Sequence, residues 1–70
     1  SKEVIFEREK CSKVIVDLFN LYNNDLNLLP SDWQKKIKNS KSESPKRIIG
    51  DYISGMTDRF AINQHKVLVN

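Results

Sequence analysis

The sequence predicts an all-α protein, a small bundle of about three helices at roughly 3–22, 31–39 and 45–61. Apolar side chains recur at steps of three and four residues, which places them along one face of a helix. Only two glycines and two prolines occur in 70 residues, and no stretch shows the alternation typical of a strand. Such a short chain buries a small share of its surface, so either self-association or a larger parent fold is expected to cover its apolar faces.

The first helix is predicted by an apolar stripe with polar residues mainly between its members. The stripe consists of Cys11, Val14, Ile15, Leu18, Phe19 and Tyr22. The polar run 23–25 should end the helix, because short polar side chains compete for backbone hydrogen bonds.

A short second helix should follow Pro30, which disfavours helical geometry at the residue before it. Ser31 is predicted to cap this helix, and Trp33 and Ile37 to face inward. The polar residues at about 39–44 contain few apolar anchors and are predicted to form a mobile linker.

The third helix has a clear start at Ser44-Pro45, a capping serine followed by proline at the first helical position. Its apolar positions are Ile48, Ile49, Tyr52, Ile53, Met56 and Phe60. It should run to about Phe60, with 61–69 adding a turn or a short helix. Gly50 and Gly55 each cost about 1 kcal/mol relative to alanine inside a helix, which predicts that another group packs closely against them.

Composition excludes several classes of protein. No apolar run approaches the roughly 20 residues of a membrane span, and the charged start lacks the apolar stretch of a signal peptide. A single cysteine fits a reducing cytoplasm, so we expect a cytoplasmic location and no membrane partner. The net charge is +3, with acidic and basic residues interleaved.

No catalytic or metal site is predicted within these 70 residues. A metal site needs several converging ligands, whereas the chain has one histidine and one cysteine, His65 and Cys11, on different predicted elements. Cys11 lies in an apolar stripe and is expected to be a buried, inert thiol. Gly50 and Gly55 sit inside a helical pattern and do not open a phosphate-binding loop.

The segment from Asp51 to Phe60 has two interpretations. In the first, Tyr52, Met56 and Phe60 belong to the core, and the charged Asp58 and Arg59 make ion pairs with neighbouring elements. In the second, Asp51, Asp58 or Arg59 supports an active site contributed by another domain. On a continuous helix, the two sets of side chains would lie along different sides.

Read as a string, residues 51–61 resemble the closing signature of bacterial dGTP triphosphohydrolases, D-Y-I-[AS]-G-M-T-D-R-[YF]-A, without a gap. Looser similarities upstream are Asp17-Leu18-Phe19, like the family's D-L-F element, and residues 28–33, like its L-L-P-x-x-W connector. The signature residues expected to be structural or supporting are Asp51, Tyr52, Gly55, Met56, Thr57, Asp58, Arg59 and Phe60. At Phe60 many relatives have tyrosine, so a hydroxyl is absent here.

The resemblance implies an all-helical parent enzyme of the HD superfamily that converts a dNTP to a deoxynucleoside and triphosphate. A divalent metal of the Mg or Mn type would be held by a missing N-terminal HD domain, with no cofactor in this segment. The chain, which begins without Met, is then expected to be an excised C-terminal scaffold that packs on that domain. Since the family forms symmetric oligomers, homo-oligomer contacts are also expected.

Two other functions remain open. The chain could be a free-standing helical module that binds a protein partner without catalysis. It could also bind nucleic acid through Lys35, Lys36 and Lys38, although the interleaved acidic residues make a poor electrostatic footprint.

Overall fold

The structure is a computed structural model that describes the backbone of residues 2–69 and the side chains of residues 12–69. The four helices are α1 (Lys2–Asn24), α2 (Ser31–Asn39), α3 (Pro45–Ser54) and α4 (Asp58–Val69), and a 3-10 turn (Leu26–Leu28) joins α1 to α2. Residues 2–69 contain no strand, which confirms the all-α prediction. The expected burial of Cys11 falls outside the described side chains.

The hydrophobic core forms where α3 and α4 pack on α1. Its buried members are Val14, Leu18, Tyr22, Leu29, Ile49, Ile53 and Ala61. Fully burying a large aliphatic side chain stabilises a fold by roughly 1.5–3 kcal/mol, so these residues account for much of the stability. The predicted stripe on the first helix is confirmed for Val14, Leu18 and Tyr22, whereas Ile15 is 46% exposed.

Helix α2 has the predicted bounds and inner face, but its start differs from the prediction. Trp33 and Ile37 pack against the core as expected. Pro30 occupies the N-cap position, and Ser31 is already the first helical residue, with no capping hydrogen bond from a side chain. The prediction that Ser31 caps the helix is therefore wrong. Gln34 Nε2 instead ties α2 to the connector, donating to the Leu29 carbonyl oxygen at 2.7 Å.

The predicted third helix is two helices separated by a short turn. Helix α3 ends at Ser54, with Gly55 at its C-cap and the Gly55 N–H donating to the Asp51 carbonyl oxygen at 3.2 Å. Thr57 then begins α4, since its Oγ1 accepts a hydrogen bond from the Phe60 N–H at 3.1 Å. A hydroxyl at this position satisfies one of the N–H groups that a helix start leaves unpaired, which favours a break over a continuous helix. The residues at 61–69 complete α4 and are more than a turn.

The two glycines are not sites of close packing within this chain. A Cβ built on Gly50 would have no atom within 4 Å, and one on Gly55 would meet only the carbonyl oxygens of Tyr52 and Asp51, at 3.7 and 3.8 Å. The prediction of a tightly packed neighbour is therefore wrong for the described part of the chain.

The polar segment between α2 and α3 is a series of bends with hydrogen bonds to serine side chains. Ser40 Oγ accepts a hydrogen bond from the Glu43 N–H at 3.1 Å. Ser44 Oγ accepts one from the Arg47 N–H at 3.3 Å, which confirms the predicted start of α3. The mobility of residues 39–44 remains a prediction.

Within residues 2–69, no helix combines the length and the hydropathy needed to cross a membrane.

Candidate functional site

The signature segment 51–61 covers the end of α3, the turn 55–57 and the beginning of α4. Tyr52 and Met56 are half-buried against the core, as the first interpretation requires. Phe60 is 43% exposed, so its predicted place in the core is wrong. The break before α4 ends the helical register that would have aligned Phe60 with Met56. Much of the signature therefore lies on the surface.

The charged residues of the signature make few contacts within the chain. Asp51 Oδ1 lies 3.9 Å from Arg47 Nε on the same helix, with both side chains largely exposed. Such a surface pair contributes at most about 1 kcal/mol. Asp58 and Arg59 form no ion pair with any side chain of residues 12–69, so the expected pairs with neighbouring elements are not found there. Their supporting role in an active site remains a prediction.

Three aromatic rings form a connected cluster between α1, α2 and α3. Tyr22 and Tyr52 meet edge to face with ring centroids 5.6 Å apart, and Trp33 lies 5.1 Å from Tyr52. Aromatic pairs in such geometry add about 0.5–1.5 kcal/mol each beyond their buried area. Lys36 Nζ lies 4.2 Å from the Trp33 ring centre, a cation–π contact on the outer side.

The hydroxyl of Tyr22 is a buried polar group with no hydrogen-bond partner among the residues that the structure describes. The residue is fully buried, in contrast to the half-buried Tyr52. Burial, followed by the neighbouring Tyr52 hydroxyl, raises the pKa of Tyr22 to about 12, because the ionised phenolate is poorly solvated there.

A hydrogen bond between Asp17 and His65 joins α1 to α4. His65 Nε2 on α4 donates to Asp17 Oδ2 on α1 at 2.7 Å, and Lys13 Nζ lies 3.6 Å from the same oxygen. The hydrogen bond from His65 lowers the pKa of Asp17. Partial burial opposes this shift, and the charge of Lys13 adds to it.

This pair was not predicted, because 48 positions separate its members. The only signal in the sequence was indirect. Asp17 belongs to the D-L-F element that resembles the family, but nothing in the string indicates that it meets His65.

The described side chains do not fit a catalytic metal. Among residues 12–69, no group of three or more His, Cys, Asp or Glu side chains is placed to hold an ion. Asp17 and His65 supply only two such ligands. The divalent ion that the resemblance implies would therefore have to be bound by other residues.

Clefts of different character lie on the described surface around the signature. An aromatic cleft is lined by Pro30, Trp33, Tyr52, Gly55, Met56, Thr57 and Phe60. A cleft of mixed charge includes Asp32, Lys35, Lys36, Glu43 and Asp51. The third, which we call the α1–α3 groove, is lined by Ile15, Val16, Phe19, Gly50, Ile53, Ser54, Met56 and Asp58.

The mixed-charge cleft bears on the nucleic-acid hypothesis. Lys35 and Lys36, two of the three lysines considered for nucleic-acid binding, line it together with three acidic side chains. Carboxylates beside the lysines would weaken the local attraction for phosphate. The geometry gives this hypothesis no added support.

Comparison with known proteins gives a consistent match. The model of the family described as the phosphohydrolase-associated domain matches residues 1–67. The deoxyguanosinetriphosphate triphosphohydrolase-like protein of Rickettsia prowazekii is 46% identical over 68 residues, covering 97% of this chain and 18% of the relative.

Other rickettsial proteins of the same name agree. The Rickettsia typhi protein is 44% identical over 68 residues, which cover 97% of this chain and 18% of the relative. The Rickettsia bellii protein is 49% identical over 59 residues, which cover 84% of this chain and 15% of the relative. The chain thus spans less than a fifth of the length of these relatives. No solved structure gives a significant match.

Proposed function

Because this chain belongs to the phosphohydrolase-associated domain family, we propose that it is the C-terminal helical scaffold of a dNTP triphosphohydrolase. The parent would hydrolyse dGTP or another dNTP to the deoxynucleoside and triphosphate. The catalytic metal and the residues that grip the triphosphate would lie in the larger, N-terminal part of the polypeptide.

The observation on which this proposal depends is the extent of the match. Nearly the whole chain aligns with proteins named triphosphohydrolase-like, yet it corresponds to only 18% of the Rickettsia prowazekii protein. The described side chains offer no metal site, so they fit a supporting role better than a catalytic one. The exposed signature residues, Thr57 to Phe60, are available for contacts with the rest of a parent.

The proposal can be tested by exchanging the segment in a full-length relative. In one variant of the Rickettsia prowazekii protein, this chain replaces the 68 matching residues. In a second variant those residues are deleted. We expect the exchanged protein to be soluble, to melt cooperatively and to release triphosphate from dGTP at a rate within about tenfold of the native relative, a loss below roughly 1.4 kcal/mol.

The deletion variant should lose cooperative melting and triphosphate release together, because its apolar contact surface would be uncovered. A deletion variant as stable and active as the native relative would contradict the proposal. So would an exchanged protein that behaves like the deletion.

A further inference from the structure

We infer that the α1–α3 groove is the surface on which this segment receives an apolar helix from the larger part of its parent polypeptide. The inference rests on the function proposed above and specifies which face of the segment makes the contact.

The groove exposes apolar side chains that no side chain of residues 12–69 covers. Ile15 is 46% exposed and Val16 is 57% exposed, and both line the groove from α1. Ile53 and Met56 continue the apolar lining from the opposite side. A contiguous apolar surface of this kind marks an interaction site more often than isolated exposed residues do. Covering it would stabilise the assembled protein in proportion to the apolar area removed from water.

Gly50 supplies an independent observation at the same place. It lies inside α3, where glycine is less favourable than alanine. No glycine of residues 2–69 has a positive φ, and beyond the neighbouring backbone of its own helix no described atom lies within 4 Å of a Cβ built on Gly50. Neither backbone conformation nor internal packing therefore requires glycine. A groove open at the helix backbone allows a partner to approach closely.

The charges around the groove indicate the chemistry of the occupant. Among residues 12–69, Asp58 is the one ionisable residue that lines the groove, and it makes no ion pair with any of the other described side chains. The occupant should therefore be apolar along the groove and carry a lysine or arginine opposite Asp58.

The source of that occupant follows from shape and from the length of the relatives. In a symmetric dimer the same patch of both subunits meets. Two copies placed groove to groove would therefore bring two concave surfaces together, with no protruding side chain to fill either groove. The relatives carry more than four-fifths of their length outside the matched segment. That remainder is long enough to supply a helix.

Matched valine substitutions in the exchanged full-length protein test the inference. Val16 and Val67 are both exposed, at 57% and 69%, but only Val16 lines the groove. We expect Val16→Glu to lower triphosphate release and soluble yield by at least about tenfold, because a buried carboxylate would have no partner. Val67→Glu should leave both within about twofold of the unsubstituted exchanged protein.

Gly50→Leu gives a second measurement. The substitution should have opposite effects on the isolated chain and on the exchanged protein. In the isolated chain it should raise the melting temperature, because leucine favours a helix and its side chain would enter open space. In the exchanged protein it should lower soluble yield and triphosphate release by at least about tenfold, because it fills the groove.

The outcomes separate the two proposals. If the exchanged protein behaves like the deletion, both are overturned. If it is stable and active while Val16→Glu and Gly50→Leu behave like Val67→Glu, the groove assignment alone is wrong. A dimer of the isolated chain that Val16→Glu abolishes, with no effect in the exchanged protein, would show that a second copy occupies the groove and would overturn the inference.

Discussion

At the scale of single residues, the buried hydroxyl of Tyr22 is an unusual feature of the core. A buried polar group without a hydrogen bond costs roughly 1–3 kcal/mol of desolvation, whereas removing it leaves the aromatic packing intact. We therefore expect Tyr22→Phe to retain or raise the free energy of unfolding, measured by urea denaturation near neutral pH. A decrease of more than about 1 kcal/mol would show that the hydroxyl is hydrogen-bonded in solution.

The raised pKa of Tyr22 also predicts behaviour at high pH. The folded chain holds this proton up to about pH 12, whereas an unfolded tyrosine releases it near pH 10. Between these values the unfolded state binds fewer protons, so stability should fall as the pH rises through that window. Tyr22→Phe should make the decline shallower when urea denaturation is repeated between pH 9 and pH 11. An unchanged slope would contradict the assignment.

The hydrogen bond between Asp17 and His65 leads to a prediction at low pH. Because the folded-state pKa of Asp17 is lowered, its contribution is present above the ordinary aspartate pKa and is lost as the pH falls through the folded value. Asp17→Asn should therefore make stability less dependent on pH in the acid range. In a double-mutant cycle with His65→Ala, the double variant should be less destabilised than the sum of the single variants. Additive effects would contradict a direct interaction.

At the scale of elements, the turn between α3 and α4 decides how the signature is presented. Thr57 Oγ1 accepts a hydrogen bond from the Phe60 N–H and so begins α4. The turn divides the signature between two helices and leaves Phe60 exposed. A continuous helix would have brought Phe60 into register with Tyr52 and Met56 instead.

The cap on α4 can be tested directly. Replacing a capping threonine with alanine costs about 1 kcal/mol, so Thr57→Ala should lower the free energy of unfolding by roughly that amount. Thr57→Ser, which keeps the hydroxyl, should change it by only a few tenths of a kcal/mol. Urea denaturation of both variants provides the measurement. Equal stability of Thr57→Ala and the wild type would indicate that the helix runs on through Thr57.

At the scale of the whole molecule, the chain combines a small core with an uncovered apolar groove. The buried residues join α1, α3 and α4, while Ile15 and Val16 remain exposed. Among residues 12–69, no group of three or more His, Cys, Asp or Glu side chains is placed to hold a metal ion. We therefore expect the isolated chain to release no triphosphate from dGTP above a no-protein control with Mg²⁺ or Mn²⁺. Release that is lost on substitution within the chain would contradict a purely supporting role.

The sequence by itself determined the local features of this protein. Helical periodicity indicated the all-α class and the inner residues of α1, and Ser44-Pro45 marked the start of α3. The resemblance of residues 51–61 indicated the family, which the match to residues 1–67 then confirmed. These features depend on neighbours within a few positions, where backbone geometry fixes which side chains meet.

The break at Thr57 could also have been found in the sequence. Gly55 weakens the helix, and Thr57-Asp58 is a capping residue followed by an acidic first turn. The apolar spacing to Phe60 concealed it, because that spacing continued across the turn.

Only the tertiary structure decided the pairing of Asp17 with His65, the burial of the Tyr22 hydroxyl and the open space at Gly50. Each depends on how helices distant in sequence pack together. The hydrophobic periodicity of a helix fixes which face turns inward, but not which residue of another helix it meets.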